Sequence, residues 1–260
     1  MAKEKINLVD VTLRDGMHAV SHQFTAATMA CLAAKIDEIG YESFEFGHGN
    51  GLAGSSLQYG FAASGDEEYL REVSHVVHNT QMCIVIIPGI GTRYELEIAR
   101  ENGVEVARIA TQITECDIGK QHIAMAREMG FHTRTLLPHA APLSVEDTVK
   151  YAILSAQLGS QVVYILDGGG AMLPGEVYER VSRARDATEK YDAKIGFHGT
   201  TTCRWRWLTP WRRFAAVLPI SIPASRALAR APVTAPLSRL SRSSKRWIMT
   251  RALICTRRWI

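Results

Sequence analysis

After residue 199 this chain of 260 residues contains no acidic residue and no glycine, and before it no tryptophan. Residues 1–199 hold all 26 acids and 17 of the 30 Lys and Arg, a net charge of −9, while residues 200–260 carry the other 13 bases and a charge of +13. The overall charge of +4 thus averages two unlike compositions. No uninterrupted apolar run is long enough to span a bilayer, which excludes a membrane-spanning helix. No N-terminal stretch combines a basic start, an apolar run and a small-residue cleavage site, so the expectation is a cytoplasmic protein with no membrane partner. Cys31, Cys83, Cys116, Cys203 and Cys255 form no CxxC pair and no metal-finger spacing, which leaves ordinary buried thiols in a reducing compartment. No GxGxxG follows the first apolar run, which argues against a dinucleotide site at the switch point of a doubly wound sheet.

What is present is enough apolar sequence, 47% of the chain, for one large core. Short β-branched runs alternate with amphipathic stretches up to residue 199, the pattern of βαβ units around a parallel sheet. Strands are expected at Ile6–Val11, Ser43–Phe46, Met82–Ile87, Val106–Thr111, Thr133–Leu137, Val162–Leu166 and Lys194–Phe197. Helices are expected at Ala26–Ile39, Asp66–His78, Arg93–Asn102, Asp117–Met129, Val145–Leu158 and Pro174–Lys190. Nearly every strand ends in polar residues or glycine: Thr12 to Gly16, Gly47-His48-Gly49, Pro88-Gly89, Thr111-Gln112, Pro138-His139, Asp167 to Gly170 and His198-Gly199. Polar ends on many strands converge at the mouth of a (β/α)8 TIM barrel, whereas an open doubly wound sheet gathers them at one point. The fold expected is therefore an α/β TIM-type barrel cut short after its seventh strand, spanning residues 1–199. Residues 200–260 form a separate Arg-, Trp- and Pro-rich stretch, expected to be a disordered, non-native tail.

Arg14, Asp15 and His18 follow the first strand, where a structural ion pair is the ordinary reading of the first two. Adding His198 at the end of the seventh strand changes the picture. A carboxylate and an imidazole from different sides of a barrel mouth can share a divalent ion, and hard oxygen with imidazole and open water positions suits Mn²⁺ or Mg²⁺. Glu45 can pair with Arg14, with a plain surface acid as the alternative. His22, His75, His78, His122 and His132 read as surface or helix residues, and His48 and His139 as residues lining the mouth.

The segment Asp10-Val11-Thr12-Leu13-Arg14-Asp15-Gly16-Met17-His18 resembles the opening motif of the aldolases and synthases related to HMG-CoA lyase. Three further stretches, Gly47 to Ser56 (GHGNGLAGSS), Ile86 to Gly91 (IIPGIG) and Ala110 to Asp117 (ATQITECD), resemble the 4-hydroxy-2-oxovalerate aldolases, class II enzymes of aromatic meta-cleavage pathways. That resemblance implies aldol cleavage of a 4-hydroxy-2-oxo acid to pyruvate and a short aldehyde. Asp15 and His198 would be metal ligands, Arg14 would steady the enolate oxygen, and His18 would remove the 4-hydroxyl proton. The chemistry is coherent, because a metal and a guanidinium meet the charge left when the carbon–carbon bond breaks. An acyl-CoA-condensing synthase or HMG-CoA lyase is the competing reading within the same superfamily.

Two positions depart from the family. Gly168 stands where a serine usually binds the substrate carboxylate, so only backbone N–H groups serve there. The family's seventh strand ends His-x-His, and here the second position is Thr200. The tail's lack of acids and glycine and this missing histidine have one cause if the gene is read one base out of frame. Taking Gly199 as GGC and shifting by one base lets codons for Thr200 to Pro210 read HNNLSLAVANS, the family's continuation. Loss of one C from GGCCAC suffices. The same offset turns Leu218 to Ser225 into TYIDTSL, a credible eighth strand. Trp205-Arg206-Trp207 is the tightest case: with a CGN arginine codon the shifted reading must be Leu, Met or Val, then Ala, then one of those three again. A chain of this kind lacks the family's helical C-terminal domain, which would supply a catalytic tyrosine and contact an acylating acetaldehyde dehydrogenase. A basic, aromatic tail also fits a nucleic-acid-binding arm on a decayed barrel, and the frame slip is preferred because it explains the missing acids and glycines as well.

Overall fold

The computed structural model describes residues 7–199. Seven parallel strands form one sheet in the order of the sequence: β1 (Val9–Leu13), β2 (Ser43–Phe46), β3 (Gln81–Ile86), β4 (Val106–Ala110), β5 (His132–Leu137), β6 (Val162–Asp167) and β7 (Lys194–Gly199). This strictly sequential order decides for the barrel over the doubly wound sheet, in which the chain would reverse direction across the sheet at a switch point. Between the strands lie α1 (Ala26–Ile39), α2 (Asp66–Ser74), α3 (Arg93–Glu101), α4 (Lys120–Glu128), α5 (Val145–Gln157) and α6 (Pro174–Thr188). Among the described residues β1 and β7 are the edges of this curled sheet. The expected tail, its frame and the imidazole sought at position 200 lie outside the described residues.

Local chemistry explains where the elements begin and end. Thr25 and Ser144 cap α1 and α5, their hydroxyl oxygens accepting N–H bonds from Thr28 and Asp147, and Thr92 and Glu95 form a reciprocal capping box on α3. The first strand runs later than the expected Ile6–Val11, because Thr12 and Leu13 continue it through an irregular register between Asp10 and Leu13. Helix α2 stops short of the expected His78: the Asp37 carboxylate accepts the backbone N–H groups of His78, Asn79 and Thr80, at 2.7 to 3.0 Å, and ties that turn to α1. Those bonds hold the Asp37 carboxyl at about 2, although burial alone would raise it.

The barrel is layered by residue type. Leu13, Met29, Phe44, Phe46, Ile84, Ile86, Leu96, Ile109 and Ile123 pack between strands and helices, and a second cluster around Leu137, Val163, Ile165 and Val181 continues that layer. The inner face is different. Its apolar part is a small group of Val85, Leu136 and Tyr164. Buried among the same strands are Glu45, Arg108, Arg134 and His198, charges that parallel strands covered on both faces rarely carry. Cys83 and Cys116 are buried free thiols, and burial pushes the Cys83 thiol up to about 12.

Candidate active site at the barrel mouth

The polar turn after β1 delivers the first site residues. Arg14 precedes a short 3-10 turn over Asp15–Val20, so Arg14, Asp15 and His18 leave the strand end together. Arg14 is buried, and its guanidinium grips one carboxylate edge-on: Nε and Nη2 both reach Oε2 of Glu45, at 2.7 and 2.6 Å. Nη1 donates to Oδ1 of Asp15 at 3.2 Å and to the carbonyl of Gly49 at 3.3 Å. Burial opposes the Arg14 charge, but Glu45 and Asp15 outweigh it and hold its pKa above the ordinary value. Glu45 is fully buried in the middle of β2, not a surface acid. Burial would raise its carboxyl, and the charges of Arg108 and Arg14 reverse that and keep it lowered.

His198 reaches the same network from β7. It is 5% exposed, and burial holds its imidazole down at about 4, with Asp15 pulling upward and Arg108 and Arg14 downward. A neutral imidazole beside a carboxylate is a donor pair suited to a divalent cation, since a protonated ring cannot ligate. Asp15 and His198 thus fit two places in a metal's coordination shell. Among the described residues no group of three such donors occurs.

His18 stands in a set of three rings that sequence reading did not join. His22 lies edge-on to His18 at 5.0 Å and stacks on His48 at 3.8 Å. His22 is a correction to the surface reading: it is 6% exposed, and its Nδ1 accepts the Gly49 N–H. His48 Nδ1 accepts from Asn50 N and its Nε2 faces the Gly60 carbonyl, so the ring is held as the neutral Nε2–H tautomer. Burial, then His22, keeps His48 down at about 4. Gly49 is required here by close approach: a Cβ on it would come within 2.7 Å of the His22 ring and 2.8 Å of the His18 ring. One glycine therefore connects the guanidinium, through its carbonyl, to the candidate base. His122 is likewise buried, its Nε2 on the Gly91 carbonyl at 3.0 Å, and His132 opens β5, partly buried. His75 and His78 are exposed as expected, and His139, expected to line the mouth, is exposed in the loop after β5.

Gly168 begins the loop after β6. The Asp167 carboxylate organises that loop by accepting the N–H groups of Ala171 and Met172, at 3.0 and 2.8 Å. A Cβ at Gly168 would meet nothing within 4 Å, so the missing side chain leaves open space. The structure brings Arg14, Asp15, Glu45 and His198 into one charge network and ties His18 to it through Gly49.

The HMGL-like family pattern matches residues 5–203, three quarters of the chain. The chain belongs to the HMGL-like family. It is 51% identical over 196 residues to the 4-hydroxy-2-oxovalerate aldolase of Desulfitobacterium hafniense, covering 75% of this chain and 58% of that protein. The same name is carried by similar proteins of Carboxydothermus hydrogenoformans, 46% identical over 198 residues, 76% of this chain and 58% of theirs, and of Comamonas testosteroni, 45% over 196 residues, 75% and 56%. This chain therefore spans somewhat over half the length of the curated relatives that it matches. Among solved structures, the carboxyl transferase domain of Rhizobium etli pyruvate carboxylase with pyruvate and biocytin superposes with a TM-score of 0.75 at 15% identity, over 98% of this chain and 48% of that one. That likeness concerns the barrel fold alone. No helix among the described residues is long and apolar enough to cross a membrane.

Missed in the sequence were Arg108, Tyr164 and the ring stack around Gly49. A signal for the first was present: VARIA places a charge in the centre of an otherwise apolar parallel strand.

Proposed function

We propose that this chain carries the 2-oxo-acid-binding part of a 4-hydroxy-2-oxovalerate aldolase, a carbon–carbon lyase that releases pyruvate and acetaldehyde during the breakdown of aromatic compounds. The observation that carries the reading is the buried Arg14, fixed edge-on by Glu45 and set against Asp15 and a neutral His198. Curated relatives of that name support the substrate class. Asp15 and His198 would hold Mn²⁺ or Mg²⁺, which when bound supplies Lewis acidity at the 2-oxo carbonyl.

The chain's own residues supply the rest. Glu45 prevents the Arg14 fork from rotating, so a guanidinium charge is held at the mouth to meet the negative charge that grows on the 2-oxo oxygen as the carbon–carbon bond breaks. Backbone N–H groups at Gly168 receive the substrate carboxylate in place of a side chain. His18 takes the proton from the 4-hydroxyl as the aldehyde forms, and its ring is kept in place by His22 and Gly49.

Residues 200–260 are read here as the product of a one-base slip. Its support is the closeness of several borders: the family match ends at 203, the last glycine is Gly199, the last acid is Asp192, and the lost imidazole falls at 200. Activity of the chain as written is accordingly reduced. The test is to sequence the coding DNA at codon 199, reinsert one base, and compare the two products. The restored enzyme should bind Mn²⁺ much more tightly and release pyruvate from 4-hydroxy-2-oxovalerate without CoA. Within it, Arg14→Lys should lower kcat by roughly 10²-fold, because the charge stays but the planar fork is lost. His18→Ala should slow turnover while leaving Mn²⁺ affinity nearly unchanged. Equal Mn²⁺ affinities before and after repair would overturn the ligand assignment, and dependence on CoA would transfer the chain to the acyl-CoA branch.

A further inference from the structure

Arg108 is a buried charge in this barrel that the proposed chemistry does not use. It lies in the centre of β4 with no exposed surface. Its Nη1 donates to Oε1 of Glu45, the carboxylate whose other oxygen grips Arg14. Its Nε and Nη2 have no hydrogen-bond partner. The guanidinium carbon instead sits 4.0 Å over the centre of the Tyr164 ring. That ring is pressed against Gly196, its register partner on β7, where a Cβ would come within 2.4 Å of it. Strand β7 thus keeps a glycine where the aromatic platform beneath Arg108 needs room. A buried guanidinium with two unmade hydrogen bonds is expensive, even over an aromatic face, and packing would be served better by an apolar side chain.

We propose that Arg108 is a positioning residue that sets how much positive charge Arg14 can offer an anion. An isolated Arg14–Glu45 pair is neutral and would present a spent guanidinium to the substrate. With Arg108 sharing Glu45, the cluster carries one surplus positive charge. Asp15, 3.2 Å from Arg14, offsets that surplus in the ligand-free chain, and in the proposed reading its carboxylate turns to the divalent ion. The surplus then falls to the anionic oxygens of the 2-oxo acid, in surroundings where little water screens it. Arg108 does this without touching the substrate. The inference rests on the reading of the mouth as a 2-oxo-acid site.

The experiment is a calorimetric titration of oxalate, a planar dianion, into the frame-restored enzyme in saturating Mn²⁺, with circular dichroism confirming that each variant folds. Arg108→Met should raise the oxalate Kd about tenfold or more, since it removes one buried positive charge near the anion. Glu45→Gln alone should tighten binding, because the amide keeps a hydrogen bond to Arg14 and removes the charge that neutralises it. Combining Glu45→Gln with Arg108→Met should bring Kd back to within about threefold of the frame-restored enzyme without further substitution, the net charge being the same. Arg108→Lys should stay in that range and decides the matter together with Glu45→Gln if the methionine variant does not fold. A purely structural arginine predicts the reverse for the double variant, which would then bind no better than Arg108→Met. That result, or weaker binding by Glu45→Gln, overturns the proposal while the 2-oxo-acid reading stands. If the frame-restored enzyme without further substitution binds no oxalate, that reading fails and this one with it.

Discussion

Arg108 and Arg134 are register partners on adjacent strands, and the barrel treats them in opposite ways. Arg108 turns toward the mouth and a carboxylate with no exposed surface. Arg134, 2% exposed, turns toward the N-terminal ends of the strands, where its partners are Ser43 Oγ at 3.0 Å, His132 Nδ1 at 3.3 Å, and Glu42 and Gln81 at 3.4 and 3.5 Å. The Glu42 side chain is a third exposed, and a cavity of about 250 Å³ opens beside it, lined by Arg134, His132, Gln161 and Lys194 among others. One end meets its buried cation with a fully buried anion, the other with neutral acceptors, a part-exposed carboxylate and access to water. Both solve the same desolvation problem, but only the first fixes a charge in a set direction, which is what binding an anion requires.

The sharpest way to break this contrast is to remove the acid from each end. Glu45→Ala leaves two buried guanidinium groups without their anion and should cost about 3–5 kcal/mol in chemical denaturation. Glu42→Ala at the other end should cost less than about 1 kcal/mol, as water and Gln81 take over. Similar losses would mean that the two ends do not differ as described.

Acid provides a second, smaller test. His48 at the mouth and His132 at the foot are both held near 4, the first by burial and its stacked neighbour His22, the second by burial, Arg134 and Lys194. Both rings are depressed relative to the unfolded chain, which therefore binds protons that the fold refuses. Stability is full above about pH 6.5, falls as pH drops toward 4, and levels off below it, by about 1–3 kcal/mol per ring. Replacing His132 by Gln should flatten part of that slope in unfolding curves measured across this window. The foot being the wetter end, His132→Gln should flatten it less than His48→Gln, and the opposite order would contradict the comparison.

The smallest effect is expected at Gly168, where the space for a side chain is open. Gly168→Ser should tighten pyruvate binding by about threefold to tenfold, the worth of one added hydrogen bond to a carboxylate, with little change in melting temperature. No gain in affinity would place the substrate carboxylate elsewhere in the mouth.

Much of the fold could be read from spacing alone. β2 and α1 coincide with their expected spans, and the other strands differ at their ends by one to three residues. The larger errors have local causes of a kind that periodicity does not contain: Asp37, distant in sequence, takes the N–H groups that would have extended α2. The site was legible where its residues cluster along the chain, as Arg14, Asp15 and His18 do. It was illegible where partners come from separate strands. His22 looked like a surface residue because nothing in its neighbours announces the ring of His48 against it.

By itself the sequence determined the alternation of strands and helices, the polar ends that mark the mouth, and the border at residue 199, because each is a property of residues near one another on the chain. Tertiary structure alone decided that Glu45 would serve two arginines, that Arg108 and Arg134 would point apart, and that Gly49 and Gly196 would make room for rings from other segments. Charge balance and close packing depend on distances between strands, and those distances come into being only when the sheet curls and brings one strand's residues against another's.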